Sequence, residues 1–268
     1  MRKIAFLGTG NMAQAMVAGL LERGLATPQE IICLGGSGVS ARGLAEATGV
    51  EVAGSLPDLL SEAQTLIVAF KPYHLAPHAE ILAKLTEGKL VLSVLAGKTL
   101  AQLAHAFPKA RAIVRCMPNT PSRIGAGVTG WCSGQGLAET DRNFTESLLA
   151  ALGVAIEIPE SQMDALTAVS GCGPAYVFEF TAALREAGVA AGLSHEVATV
   201  LAIETVLGAA RLMARTGTPP ETLRNQVTSP NGVTFAGLQR LEAGKFRDLI
   251  RETVAVAKHR SAELSTDQ

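Results

Sequence analysis

The stretch Lys3-Ile4-Ala5-Phe6-Leu7-Gly8-Thr9-Gly10-Asn11-Met12-Ala13 decides the fold of this chain. A short apolar run ends at a Gly-x-Gly-x-x-Ala turn, and residues 11–23 then repeat apolar side chains at the helical period. In a strand–turn–helix unit, Gly8 permits the tight turn and Gly10 lets the backbone approach a pyrophosphate. Ala13 allows close packing of helix on strand, and the helix N-terminus supplies free N–H groups and a partial positive charge. This arrangement predicts a dinucleotide seat.

Outward from that turn, short apolar runs alternate with helix-like stretches. Residues 31–34, 65–70, 90–94 and 112–116 read as strands, and residues 41–48, 56–62, 74–85 and 100–107 as helices. Strands buried on both faces appear as unbroken apolar runs, and alternation with helices gives a parallel sheet through right-handed crossovers. Residues 1–158 are therefore expected to form an α/β domain, Rossmann-like, with a doubly wound and mostly parallel sheet. From Pro159 the texture changes to alanine- and leucine-rich periodic segments at 163–189, 194–216, 219–227 and 246–264. Residues 159–268 are expected to be an all-helical domain. Ser194 and Thr218 each stand where a hydroxyl caps a helix.

The chain has 268 residues, 48% hydrophobic and 18% charged, which excludes a disordered polymer. Its formal net charge of -1 argues against a nucleic-acid partner held by phosphate neutralisation. Mean hydropathy is +0.27, yet no uncharged apolar run reaches the roughly 18 residues of a spanning helix. The apolar segment at the start stops at Gly8, far short of a signal sequence. Cys33, Cys116, Cys132 and Cys172 are scattered and form no metal-ligand spacing, so free thiols and no metal are expected. A soluble, cytoplasmic protein with no membrane association follows. The helical half carries too few charges to cover its apolar faces, which predicts a homo-oligomer.

The end of the second strand bears on the choice of dinucleotide. A carboxylate there accepts from a ribose 2′-hydroxyl, but no acid occurs between Glu30 and Glu46. Backbone N–H groups at Gly36 and the Ser37 hydroxyl are expected to bind a 2′-phosphate instead, and Arg42 reads equally as a further phosphate ligand or as an ordinary exposed helix arginine. NADPH is the expected cofactor, with NADH possible. Two further strand ends, Ala69-Phe70-Lys71-Pro72 and Ala96-Gly97, are expected to face the same crevice, with residues 115–121 as one wall.

In the helical half, glycine and proline interrupt good helix at residues 170–176 and 228–234. The second loop offers hydroxyls and free N–H groups at a helix start, a seat for a small carboxylate, although simple capping by Thr228 or Ser229 fits equally. No lysine occurs between Lys109 and Lys245, and the five histidines stand in helix-like or cap contexts. With neither a nucleophilic triad nor a metal cluster, the chemistry is assigned to the cofactor, the protein positioning a substrate.

These pieces together resemble the pyrroline-5-carboxylate reductase family over nearly the whole chain. The matching motifs are LGTGNMA (7–13), VAFKP (68–72), SVLAG (93–97), RCMPNTP (115–121), ESQMDALTAVSGCGPAYVF (160–178), EAGVAAGLSHEVATVLAIETVLGAA (186–210) and LRNQVTSPNGVTFAGLQRLE (223–242). The resemblance implies reduction of 1-pyrroline-5-carboxylate to L-proline, the last step of proline biosynthesis, by hydride from NAD(P)H. It places the hydroxyl that bonds the imine nitrogen on Thr234. The substrate carboxylate falls to Ser229, Asn231, Gly232, Val233 and Thr234, and a substrate-side acid to Glu160. Cofactor contacts fall on Leu7, Gly8, Thr9, Gly10, Asn11 and Met12, on Ala69 through Pro72, and on Ala96. The implied assembly is a homodimer through the helical domain, with a pentamer of dimers as a larger form.

Three positions depart from the family pattern: Cys172 stands for a serine, Asn231 for a glycine, and the turn 34–38 lacks the usual Asn/Ser/Arg content. Asn tolerates the left-handed backbone that such a glycine adopts. A related cyclic imino acid remains an alternative substrate. So does a β-hydroxyacid dehydrogenase-like enzyme, against which the missing lysine counts, or a non-catalytic NADP-binding protein.

Overall fold

The computed structural model describes residues 3–36, 38–134 and 136–266. It divides into two compact units, Met1–Cys172 with Ala257–Gln268, and Gly173–Val256. The change in sequence texture at 158/159 thus precedes the packing boundary, because residues 159–172 and the end of the last helix pack with the first unit.

In the first unit β1 (Lys3–Leu7), β2 (Ile31–Leu34), β3 (Glu51–Val52), β4 (Ala63–Val68), β5 (Leu90–Ser93), β6 (Ala112–Met117), β7 (Gly127–Ser133) and β8 (Gly153–Glu157) form one sheet. Their order is β3-β2-β1-β4-β5-β6-β7-β8. The order reverses between β1 and β4, the switch point at which open α/β sheets bind ligands. All neighbours are parallel except β6 and β7, since the link from Met117 to Gly127 is too short for a parallel crossover.

Side chains alternate between two apolar layers. Ile4 and Phe6 join Met16, Leu20, Trp131 and Leu148 on one face. Ala5, Leu66 and Val68 join Leu82, Leu103 and Phe107 on the other. The first layer is covered by α1 (Asn11–Glu22), α2 (Val39–Thr48) and, later in the chain, α6 (Glu139–Ala150). The second is covered by α3 (Leu56–Ser61), α4 (Leu75–Leu85) and α5 (Leu100–Ala106).

Sequence periodicity does not single out β7 and β8. Within β7, a Cβ added at Gly130 would lie 2.0 Å from Leu166 Cδ1, so the strand carries glycine where α7 (Met163–Leu166) approaches. One guanidinium pins four segments: Arg111 bonds both Asp141 oxygens at 2.9 and 2.8 Å and donates to the Gln64 and Gly88 carbonyls at 2.9 Å each.

The second unit is helical: α8 (Gly173–Ala190), α9 (His195–Thr216), α10 (Pro220–Gln226), α11 (Val233–Ala243) and the first part of α12 (Phe246–Thr266). Gly188 lets α8 approach α9, where an added Cβ would stand 3.2 Å from Ala198 Cβ. Ser194 caps α9 as expected, its Oγ accepting from Val197 N–H at 3.3 Å. Thr218 does not cap α10: Pro219 holds the cap position, and the helix starts without a side-chain cap. Apolar side chains such as Phe178, Val200, Leu249 and Val256 stay exposed. α9 is long and apolar enough by length and composition to cross a membrane, with Glu204 and Arg211 inside it and most of its surface uncovered in the single chain.

Candidate active site

At the switch point, the glycine turn is held from both sides. Gly8 N–H donates to Leu34 O at 2.8 Å and Ala69 N–H to Leu7 O at 2.8 Å, which draws the ends of β2, β1 and β4 together. Gly8 has φ +104°, and an added Cβ would lie 2.5 Å from the Ala69 carbonyl, so only glycine fits. Gly10 caps α1 with extended backbone, no side-chain cap and no acid in the first turn. A Cβ there would meet no protein atom within 4 Å. These are the features a pyrophosphate needs: uncapped N–H groups, the helix dipole and close backbone access.

Thr9 is buried, and its hydroxyl lies 2.6 Å from Ser40 Oγ in the first turn of α2. Its carbonyl accepts from Gln14 Nε2 at 3.1 Å. Gly36 is exposed, Gly38 takes φ +71° before α2, and Arg42 is exposed on that helix, while Ser37 lies outside the described residues. The residues at this end of β2 carry no carboxylate and fit a phosphorylated ribose better than a bare one. Asn11, Met12, Ala69, Phe70 and Pro72 line the turn region at the ends of β1 and β4, with Lys71 exposed beside them. Phe70, Tyr73, His74 and His78 form an aromatic group there, a feature the sequence pattern did not announce.

After β5, Ala96 is exposed, whereas Gly97 is buried with φ +72°, and an added Cβ would stand 3.1 Å from Leu264 O. Gly97 therefore serves the packing of the C-terminal end of α12 against this turn. Glu160 is committed on one oxygen: Oε1 accepts from Leu100 N–H at 2.6 Å and from Arg115 Nη1 at 3.0 Å. It ties the start of α5 to β6. Beyond β6, Asn119 donates from Nδ2 to Ser170 O at 3.0 Å and accepts from Val128 N–H at 2.9 Å. Ser170 belongs to a π-turn, Thr167–Gly171, of the kind often found at functional sites. The segment at residues 115–121 is thus latched to the π-turn at Thr167–Gly171.

In the second unit, the loop before α11 has a defined shape. Asn231 takes φ +57°, the left-handed region that asparagine tolerates. Gly232 N–H donates to Ser229 O at 3.0 Å, and a Cβ on Gly232 would lie 2.2 Å from Ser229 Oγ. Gly232 holds the cap position of α11, without a side-chain cap and without an acid in the first turn. Neither Thr228 nor Ser229 caps the helix; the Thr228 hydroxyl donates back to Arg224 O at 2.6 Å. The N–H groups of the first turn, with exposed Val233 and Thr234 on it, remain open to an anion. Among the described residues no group of three His, Cys, Asp or Glu side chains is arranged to hold a metal.

A doubly wound sheet with a glycine turn at its switch point, continued by a mostly unburied helical unit, defines the class of two-part nicotinamide-nucleotide oxidoreductases. Residues 3–97 match the family model described as NADP oxidoreductase, coenzyme F420-dependent. Residues 160–264 match the model for pyrroline-5-carboxylate reductase dimerisation. A pyrroline-5-carboxylate reductase of Arabidopsis thaliana is 37% identical over 98% of this chain and 95% of that protein. One from Synechocystis is 38% identical over 98% of each. The solved structure of the Coxiella burnetii reductase superposes with a TM-score of 0.92 at 35% identity, covering 98% of both chains. That of the Plasmodium falciparum pyrroline carboxylate reductase with NADP bound gives 0.86 at 28% identity, also covering 98% of both. The chain belongs to the pyrroline-5-carboxylate reductase family.

Proposed function

We propose that this chain is an NADPH-dependent oxidoreductase that reduces the C=N bond of 1-pyrroline-5-carboxylate to give L-proline. The observation that carries the reading is the uncapped, acid-free start of α11, with Ser229, Asn231, Gly232, Val233 and Thr234 ordered around it. Such a helix start suits the carboxylate of a small imino acid, and the Thr234 hydroxyl suits its ring nitrogen. When bound, NADPH supplies the hydride. A protonated imine is already electrophilic, so the protein's task is orientation, and neither a histidine nor a lysine acid is required.

The cofactor seat comprises Leu7 through Met12, Gly36, Ala69 through Pro72 and Ala96, with Ser37 and Gly97 as supporting positions. Glu160 contributes from the substrate side while its Oε1 stays anchored to Leu100 and Arg115. The active form is a homodimer through the helical half, whose exposed apolar faces need a second chain, and a pentamer of dimers is the larger assembly. The free thiols of all four cysteines suit the reducing cytoplasm. Purified protein is expected to oxidise NADPH with pyrroline-5-carboxylate and not with 3-hydroxyacids. Thr234→Ala is expected to lower turnover with nearly unchanged cofactor affinity. No oxidation with any imino acid would leave a non-catalytic NADP-binding protein as the better reading.

A further inference from the structure

We infer that the Thr9–Ser40 hydroxyl pair, packed against Gly35, is the device by which this chain prefers the 2′-phosphorylated cofactor. The inference rests on the dinucleotide reading above and assigns a residue to its selectivity.

Three observations meet at one point. Thr9 is the middle residue of the glycine turn and is buried, and its Oγ1 lies 2.6 Å from Ser40 Oγ. A Cβ added to Gly35 would stand 2.4 Å from Thr9 Oγ1 and 3.2 Å from Ser40 Oγ. The position directly after β2 is therefore closed by the hydroxyl pair, and any side chain there must displace it. A carboxylate directly after β2, at position 35, is excluded by packing, whereas a Cβ added at Gly36 would meet nothing within 4 Å, so the exclusion belongs to that one position.

The pair also joins two parts of the seat that are remote in sequence. Thr9 belongs to the turn that receives the pyrophosphate, and Ser40 is the second residue of α2, directly after the turn 35–38. Gly38 N–H donates to Gly35 O at 3.3 Å. Gly8 N–H on Leu34 O and Gln14 Nε2 on Thr9 O hold the glycine turn itself, so it stays in place when Ser40 is altered. The hydroxyl bond is then the link that sets the start of α2 at a fixed distance from the pyrophosphate seat. Only the cofactor with a 2′-phosphate draws strongly on both seats. Thr9 and Ser40 act as positioning residues.

The test is direct binding of NADPH and NADH to the intact oligomer, by the fluorescence of the bound nicotinamide, with cofactor-induced shifts in melting temperature as a second readout. Ser40→Ala is expected to weaken NADPH about three- to tenfold, the size of one hydrogen bond, and NADH less than about twofold. Ser40→Thr, which keeps the hydroxyl, is expected to restore NADPH affinity. Gly35→Asp alone is expected to weaken both cofactors, because the new side chain collides with Thr9. The double variant Gly35→Asp with Thr9→Ala is expected to bind NADH at least as well as NADPH. Equal weakening of both cofactors by Ser40→Ala, or no change in either, overturns the inference while leaving dinucleotide binding intact. Failure of the unaltered protein to bind either cofactor overturns the inference together with the reading on which it rests.

Discussion

Removing the Glu160 carboxylate strips two donors of their acceptor at once, Leu100 N–H at 2.6 Å and Arg115 Nη1 at 3.0 Å. The Arg115 side chain is 7% exposed and the Glu160 side chain 35% exposed. In Glu160→Ala the guanidinium is left in a poorly solvated place without its counter-charge. Breaking a buried pair in this way costs about 3–5 kcal/mol, and the partial exposure of Glu160 reduces that to about 2–3 kcal/mol. Glu160→Gln retains an acceptor oxygen and loses only the charge, so about 1 kcal/mol is expected. For a chain of this size about 1 kcal/mol moves the melting temperature by about 2–4 °C, which places the Ala variant about 4–12 °C below the parent. Melting should be followed calorimetrically at one protein concentration, since subunit association feeds into it. KM for pyrroline-5-carboxylate is read in parallel. An Ala variant that melts with the parent yet loses substrate affinity would mean that the carboxylate serves only the substrate and does not hold α5 against β6.

Other substitutions probe separate parts of the account. Lys98 is 1% exposed, and its Nζ has no hydrogen-bond partner among the described residues. Burial holds its pKa below the usual lysine range, so the folded state disfavours the ammonium form. Lys98→Met should therefore stabilise by about 1–3 kcal/mol at neutral pH. The gain should shrink as pH rises through the lowered folded value toward about 10.4, where the unfolded lysine also loses its proton, and denaturant titrations at several pH values would show whether it does. Arg111→Ala abandons nearly buried Asp141 and two carbonyls, and a loss of about 3 kcal/mol is expected in the same titrations; a loss under about 1 kcal/mol would refute that role. Burial, with the nearby Glu160 charge, pushes the Cys132 thiol up to about 11, and Cys33 and Cys116 are buried as well. Iodoacetamide should modify only Cys172 in the native protein and all four cysteines after denaturation, as counted by mass spectrometry.

The β1–turn–α1 unit is legible in the sequence because both faces of β1 are buried, so its apolar run is unbroken and its glycines stand out. β7 is not, because Gly127 and Gly130 yield to Ser122 and Leu166, and such close approaches leave no periodic trace. The change in texture near Pro159 coincides with the start of the matched dimerisation region, while the packing boundary falls at Cys172. Texture records which residues are apolar, and the boundary records where they pack. Pairings such as Thr9 with Ser40 and Arg115 with Glu160 join residues far apart in sequence, and no local pattern announces them. The loop at Asn231 was readable in part, since the left-handed conformation is one that asparagine shares with glycine.

The most direct measurement follows deuterium from NADPH labelled at both C4 positions during turnover with 1-pyrroline-5-carboxylate. Direct hydride delivery to an imine carbon oriented by the loop at residues 229–234 requires the label at C5 of L-proline, in one stereochemical position. Unlabelled proline, or label scrambled with solvent, would contradict it.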